Sequence, residues 1–209
     1  MLNIAQIVPV TEAEGPGKRF AIWFQGCPLR CPGCCNPEML PFEGGSSVPL
    51  EVLLQQIEAA AKESGIEGIT LLGGEPVAHA AGAAELAAQV RSAGLSVMVF
   101  SGYTLEEIQA MPDPDAANLL RHTDLLVDGP YLRDQPELRR RWIGSANQQI
   151  HFLSGRYRAD DPCWQVSNTL EIRLEHGELS VNGFPAKQAK EFWQRLPREG
   201  RRNADRKGS

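Results

Sequence analysis

The stretch GCPLRCPGCCNPE, from Gly26 to Glu38, holds four of the five cysteines of the chain. These four fall within nine residues, as Cys27, Cys31, Cys34 and Cys35. Thiols this close together cannot form a useful disulfide framework, and in a reducing compartment such a group more often binds metal or carries out redox chemistry. We therefore interpret the stretch as a metal or redox site.

The spacing C-x3-C-x2-C separates iron–sulfur chemistry from its rivals. Three thiolates of one tight loop can hold three irons of a cubane cluster and leave the fourth iron without a protein ligand. Structural zinc usually takes four ligands, commonly with a second cysteine pair further along. The remaining cysteine, Cys163, stands alone, and the four histidines are scattered. The spacing favours a cluster and leaves zinc and buried structural thiols open as alternatives.

Length and composition restrict the class of protein. The chain has 209 residues, which favours one domain with a real core. Apolar residues make up 42%, without a run of about 18 or more, so we expect no membrane association. The N-terminus has no basic segment followed by an apolar one, which predicts a cytoplasmic protein.

Charge is unevenly distributed along the chain. The tail from Arg195 to Ser209 carries five arginines and one lysine against one glutamate and one aspartate, a net charge of +4. The rest therefore carries −9, because the whole chain has −5. We expect the tail, residues 196–209, to be disordered, since charged polar ends rarely fold alone. An anionic partner is the alternative, although we expect no nucleic acid partner.

Strands and helices alternate outward from the cysteine loop. An apolar run at 20–25 predicts a buried strand that leads into the loop. A helix capped by Ser47 follows, then strands at 68–72, 95–100 and 123–131 with helices between them, one of which ends at Gly94 and another of which begins at Thr104. This alternation predicts an α/β fold with a parallel sheet buried on both faces.

Each predicted strand ends in a polar or glycine-rich loop, in the order QGC, GGEP, SGYT and VDGP. Ligands of parallel α/β sheets bind at the carboxyl ends of the strands. We therefore expect these four loops to meet at one site.

The stretch 169–184 alternates apolar and polar residues about His176-Gly177, which predicts a hairpin with a two-residue turn. A helix is predicted in AKQAKEFWQRL, residues 186–196. Because an isolated hairpin is marginal in water, we expect its apolar face to pack on the body, with docking on a partner as the alternative. The predicted organisation is a core at 1–155, an extension at 156–195 and the tail.

The order of the motifs resembles the radical S-adenosylmethionine superfamily, in which C-x3-C-x2-C follows one strand and GGEP ends the next. The stretches EGPGKRFAIWFQGCPLRCPGCCNPE, FSGYT, DLLVDGPY and RWIGSANQQIH are also similar to glycyl-radical-enzyme activating proteins, especially those of anaerobic ribonucleotide reductase. The resemblance covers residues 3–153 and implies a partial (β/α) barrel of radical SAM type with a C-terminal β-hairpin extension. It departs at Cys35, where the activating proteins often have an aromatic residue.

The resemblance implies roles for named residues. Cys27, Cys31 and Cys34 would bind a [4Fe-4S] cluster whose open iron is chelated by S-adenosylmethionine. Glu75 would accept hydrogen bonds from the amino group of that molecule, and Ser101 would meet its ribose or carboxylate. The cofactor-binding set implied by the resemblance comprises Gly33, Cys35, Gly73, Gly74, Glu75, Ser101 and Asp128. Asp128 could equally cap the turn that follows it. The cofactors carry the chemistry, so we expect no separate catalytic residue.

The implied activity is hydrogen abstraction from a glycine Cα by a 5′-deoxyadenosyl radical. The partner would be a glycyl radical enzyme, the large subunit of an anaerobic ribonucleotide reductase, with flavodoxin or ferredoxin as electron donor. One alternative is a radical enzyme acting on a small molecule or peptide, like 7-carboxy-7-deazaguanine synthase or a peptide-modifying enzyme. A non-enzymatic iron–sulfur or zinc binding module is the other.

Overall fold

The computed structural model describes residues 1–175 and 178–184 of the chain. The strands are β1 (Leu2–Thr11), β2 (Arg19–Phe24), β3 (Ser46–Val48), β4 (Gly68–Gly73), β5 (Ser96–Phe100), β6 (Leu125–Asp128), β7 (Gln149–Phe152), β8 (Leu170–Glu175) and β9 (Glu178–Gly183). The α-helices are α1 (Leu50–Ser64), α2 (Ala80–Ser92), α3 (Leu105–Ala110) and α4 (Pro114–Arg121). In this part of the chain no helix combines the length and apolar character that a membrane span needs.

Seven strands form one sheet in the order β3-β1-β2-β4-β5-β6-β7. The four central strands β2, β4, β5 and β6 are parallel neighbours, which confirms the predicted α/β fold. The expectation of a wholly parallel sheet is wrong, because β1, β3 and β7 pair antiparallel with their neighbours. These three strands close both sides of the parallel core without needing a crossover helix.

The helices cover one face of the sheet. In β2, Phe20, Ile22 and Phe24 pack in the core cluster that includes the helix residues, while Ala21 and Trp23 pack on the opposite face. Right-handed crossovers between neighbouring parallel strands place their helices on the same side. The opposite face is therefore left to loops and to the C-terminal segment.

Local sequence signals set most helix ends. Thr104 begins α3 with a capping box, in which it accepts from the Glu107 N–H while the Glu107 side chain accepts from the Thr104 N–H. Gly94, at φ +84°, follows the end of α2 as predicted. Ser47, however, does not cap α1: it pairs with Asn3 in the sheet, and Pro49 precedes the helix.

Strands β8 and β9 form the predicted hairpin, paired from Leu170 with Gly183 to Glu175 with Glu178. The expectation that its apolar face packs on the body is wrong, since Ile172 and Leu174 are 55% and 73% exposed. The side that meets the body is polar, because buried polar groups at the end of β1 need hydrogen-bond partners. The predicted turn at 176–177, the helix at 186–196 and the tail at 196–209 lie outside the described residues.

Arg19 joins three of the central strands beneath the sheet's amino end. Its guanidinium is fully buried and donates to the Thr70 Oγ1 at 2.7 Å and the Ser96 Oγ at 2.8 Å, as well as to the carbonyl of Ile69. Burial lowers the Arg19 pKa. Three strands thus share one set of charge-assisted hydrogen bonds.

We predict that Arg19→Met destabilises the fold by about 2–4 kcal/mol, because it leaves several buried acceptors without a donor. Urea unfolding monitored by circular dichroism measures this, with the exposed neighbour Lys18→Met as the matched control. A variant as stable as the control would show that the Arg19 hydrogen bonds do not hold the strands together.

Candidate cofactor site

The cysteine loop is fastened at its base and open at its tip. Backbone bonds from the Gly26 N–H to the Met39 carbonyl (2.9 Å) and from the Cys27 N–H to the Leu40 carbonyl (3.0 Å) close the loop. Cys27 is buried, and the remaining loop cysteines are partly or fully exposed and free. Burial raises the pKa of the Cys27 thiol. The loop therefore presents uncommitted thiols on a fixed base.

Gly33 lies at φ +78°, in the left-handed region that favours glycine. A Cβ at this position would come within 2.7 Å of the Arg133 Cδ. The Arg133 side chain thus lies across the turn between Cys31 and Cys34, where the Cys34 N–H donates to the Cys31 carbonyl at 3.1 Å. The role of Gly33 is therefore to let the backbone turn between Cys31 and Cys34.

Cys35 does not point away from Cys34, as adjacent side chains of an extended loop would. Its thiol donates a hydrogen bond to the Cys34 sulfur, which lowers the Cys34 pKa to about 6 and raises that of Cys35. The backbone bends at Cys35 and is not extended there, so the two side chains are not directed apart. Cys35 is consequently a fourth thiol beside the predicted ligands.

The GGE segment at the end of β4 packs backbone to backbone against the cysteine loop. The Gly74 N–H donates to the Phe24 carbonyl at 2.8 Å, and the Glu75 N–H donates to the Gly26 carbonyl at 2.9 Å. A Cβ on Gly74 would lie 2.4 Å from the Gly26 oxygen. Only glycine permits this approach, which joins the two motifs into one site.

The Glu75 carboxylate is buried and linked to the next strand end. One oxygen accepts from the Val77 N–H (2.9 Å) and the Ser101 hydroxyl (3.0 Å), and the other accepts from the Gly102 N–H (2.8 Å). Burial raises the Glu75 pKa to about 7, while the three hydrogen bonds act in the opposite direction. Glu75 therefore fixes the loop after β5 relative to the GGE segment.

The four strand-end loops surround one cavity of about 470 Å³, as the sequence predicts. The lining from these loops includes Cys27, Cys31, Cys34, Cys35, Gly73, Gly74, Glu75, Ser101, Gly102, Gly129 and Tyr131. A volume of this size is typical of small-molecule sites. The cysteine loop and the GGE segment therefore line the same cavity.

Of the residues predicted to bind the cofactor, Gly33 and Asp128 do not line this cavity. Asp128 instead has partners within the protein. Its carboxylate accepts from the Leu105 N–H at 2.7 Å and so caps the start of α3. The Nε2 atom of His151 lies 2.8 Å from the same oxygen. Asp128 therefore fixes the start of α3 and does not itself reach the cavity.

Further cavity residues escape the sequence prediction, among them Glu14, Trp142 and Gln148. Trp142 is fully buried at φ +58° and donates from its indole to the Ala13 carbonyl at 3.1 Å. Gln148 accepts from the Gly144 and Ser145 N–H groups. The available signal was their position in the stretches EGPGKRF and RWIGSANQQIH.

Three of the thiols that line the cavity, those of Cys27, Cys31 and Cys34, have a spacing with which a loop can bind a cubane cluster. Ligands of one zinc ion converge to about 2.3 Å from a common centre. Within residues 1–175 and 178–184, no three cysteine, histidine or acidic side chains are gathered in this way. A cubane cluster instead binds each thiolate to a separate iron, which fits thiols spread around one loop.

Comparison with known proteins identifies relatives along most of the chain. Residues 13–151 match the family described as 4Fe-4S single cluster domain. The anaerobic ribonucleoside-triphosphate reductase-activating protein of Vibrio cholerae is 31% identical over 156 residues, 72% of this chain and 97% of that protein. Its namesake from Escherichia coli is 31% identical over 73% of this chain and 99% of that protein. The namesake from enterobacteria phage T4 is 25% identical over 71% and 93%.

We predict that Glu75→Gln lowers the free energy of unfolding by about 1–3 kcal/mol, because an amide group cannot accept from all three donors. Urea unfolding at pH 8, above the Glu75 pKa of about 7, measures the effect with the carboxylate ionised. Glu85→Gln, on the exposed side of α2, is the control. Equal stability of the two variants would mean that Glu75 does not join the strand ends.

Proposed function

Since the chain belongs to the 4Fe-4S single cluster domain family and to the anaerobic ribonucleoside-triphosphate reductase-activating proteins, we propose that it generates a glycyl radical on a reductase. The chain would then be a radical S-adenosylmethionine oxidoreductase with a [4Fe-4S] cluster. Its partner is an anaerobic ribonucleotide reductase. These relatives are matched over nearly their whole length.

One observation supports the proposal most strongly: the GGE segment is hydrogen-bonded through its backbone to the end of β2 and to the first residue of the cysteine loop, and the loop and the segment line one cavity. Cys27, Cys31 and Cys34 would hold the cluster. The backbone of Gly73 and Gly74 would approach the amino acid part of S-adenosylmethionine, because neither residue has a side chain in the way. The two cofactors would therefore lie next to each other.

Glu75 and Ser101 would fix the position of the bound S-adenosylmethionine. A carboxylate of Glu75 has capacity for a further donor beyond its three protein contacts, such as an amino group. The Ser101 hydroxyl donates its proton to Glu75, so toward a ligand it can only accept a hydrogen bond. When bound, the cofactors supply one-electron cleavage of the sulfonium and the organic radical that removes a hydrogen atom from the glycine Cα.

Several finer features belong to the same proposal. Four adjacent parallel strands with helices on one face support the partial (β/α) barrel of the radical superfamily. Flavodoxin or ferredoxin would supply the electron, and the location would be cytoplasmic. A radical enzyme for small molecules and a binding module receive less support, because the relatives matched over most of this chain carry activating-protein names.

We predict that Cys27, Cys31 and Cys34 are the cluster ligands. Each Cys→Ser variant should lose the broad visible absorption and most of the iron after anaerobic reconstitution, because serine replaces a thiolate. Cys35→Ser and Cys163→Ser are matched controls that should keep both. If Cys35→Ser lost its iron while Cys34→Ser kept it, the ligand set would have to be changed.

We predict that the reconstituted protein, S-adenosylmethionine and a reductant produce a glycyl radical on anaerobic ribonucleotide reductase. Electron paramagnetic resonance of the mixture detects the radical, and quantification of 5′-deoxyadenosine detects the cleavage. The Cys27→Ser variant is the control and should give neither. Cleavage of S-adenosylmethionine without a radical on the reductase would exclude this partner and would favour the small-molecule alternative.

A further inference from the structure

The hairpin of β8 and β9 lies beyond the part of the chain that matches the cluster family, which ends at residue 151. It nevertheless lines the cavity, through Val181, Asn182, Gly183 and the adjoining Phe184. Phe184 stacks on Phe100 at the end of β5, with ring centroids 5.9 Å apart. The hairpin is therefore a wall of the cofactor site as well as an appendage of the fold.

The hairpin is attached to the end of β1 by polar contacts. Arg173 donates to the Val10 carbonyl at 2.8 Å, and the Glu171 carboxylate accepts from the Glu12 N–H at 2.7 Å. These contacts hold the hairpin against the end of β1. They leave its polar inner side directed at the segment that carries Glu14.

Glu14 is a buried carboxyl that lines the cavity, 3% exposed, and it is not among the residues predicted to bind either cofactor. The Asn182 amide donates to the Thr11 Oγ1 at 3.0 Å and to the Glu14 Oε1 at 3.4 Å. The Gly183 backbone also bonds this carboxyl. Burial raises the Glu14 pKa to about 7, so the group can accept and, when protonated, donate.

Gly183 permits this close approach of the hairpin. It lies at φ +106°, and a Cβ here would come within 2.2 Å of the Thr169 oxygen and 2.9 Å of the Ala13 Cβ. Asn168 adds a second link, because its Oδ1 accepts from the Trp142 N–H at 2.9 Å. Two asparagines of the C-terminal segment thus hold two cavity residues.

This wall combines hydrogen-bonding groups with apolar surface. Glu14 and Asn182 line the same cavity as the apolar side chains of Trp142 and Phe184. Such a mixture suits a peptide segment, whose backbone N–H and C=O groups need partners while its side chains bury apolar area. The cluster loop and the GGE segment line other parts of the same cavity.

We propose that the hairpin is the substrate-side wall of the site and that Asn182 is a positioning residue, which holds the Glu14 carboxyl toward a glycine-bearing peptide segment of the partner. This inference rests on the proposed function. Asn182 acts through Glu14 and has no part in binding the cofactors. Its loss should weaken binding of the protein substrate and leave cofactor chemistry intact.

The test measures glycyl radical formation by the reconstituted enzyme against increasing concentration of anaerobic ribonucleotide reductase. Asn182→Ala and the isosteric Asn182→Asp should raise KM about five- to tenfold with kcat little changed, because only substrate binding is weakened. Cluster content and 5′-deoxyadenosine release without reductase should equal those of the wild type. Leu174→Ser, on the exposed side of the same hairpin, is the matched control and should leave KM unchanged.

The outcomes separate the inference from the function beneath it. An active wild type with unchanged KM in both Asn182 variants overturns the inference alone. Loss of cluster or of uncoupled cleavage in both variants also overturns it, since Asn182 would then be a structural residue. A wild type that cleaves S-adenosylmethionine but forms no radical on the reductase overturns the proposed function and the inference together.

Discussion

The close approach of the Gly74 backbone to the Gly26 carbonyl is the constraint on which the site depends. It follows from the parallel register of β2 and β4, in which Phe24 pairs with Gly73. Because both strands end at the same level, the cysteine loop and the GGE segment begin side by side. A side chain on Gly74 would collide with the Gly26 carbonyl at 2.4 Å and push the cysteine loop away from the GGE segment. The remaining cavity residues are arranged around this contact.

Much of the fold could be predicted because the relevant signals are local. The apolar runs of β2, β4, β5 and β6 and the capping box at Thr104 depend on neighbouring residues alone. The antiparallel strands β1 and β7 were missed, since each strand is only partly buried and so lacks the continuous apolar run of the central strands. The packing of the hairpin was predicted with the wrong face. Its apolar alternation is clear, yet its polar side packs on the body, because the buried Thr11 and Glu14 need hydrogen-bond partners there. The alternation of apolar and polar residues does not show where such partners are needed.

The site divides in the same way. The cysteines and the GGE segment have characteristic spacing, so their roles could be proposed from the order of residues alone. Asp128 has the right position in sequence but turns to cap α3, because a carboxylate at a strand end can satisfy the free N–H groups of the next helix. Glu14 and Trp142 carry no recognisable pattern of their own. They reach the cavity through contacts with Asn182 and Asn168, which are separated from them by 168 and 26 residues.

Transfer of an isotope shows whether the hydrogen atom is taken from a glycine of the partner. Anaerobic ribonucleotide reductase labelled with α-deuterated glycine is incubated with the reconstituted protein, S-adenosylmethionine and reductant, and the 5′-deoxyadenosine is analysed by mass spectrometry. We expect this product to carry one deuterium atom, in an amount equal to that of the glycyl radical. Unlabelled 5′-deoxyadenosine, released to the same extent whether or not the reductase is present, would contradict it.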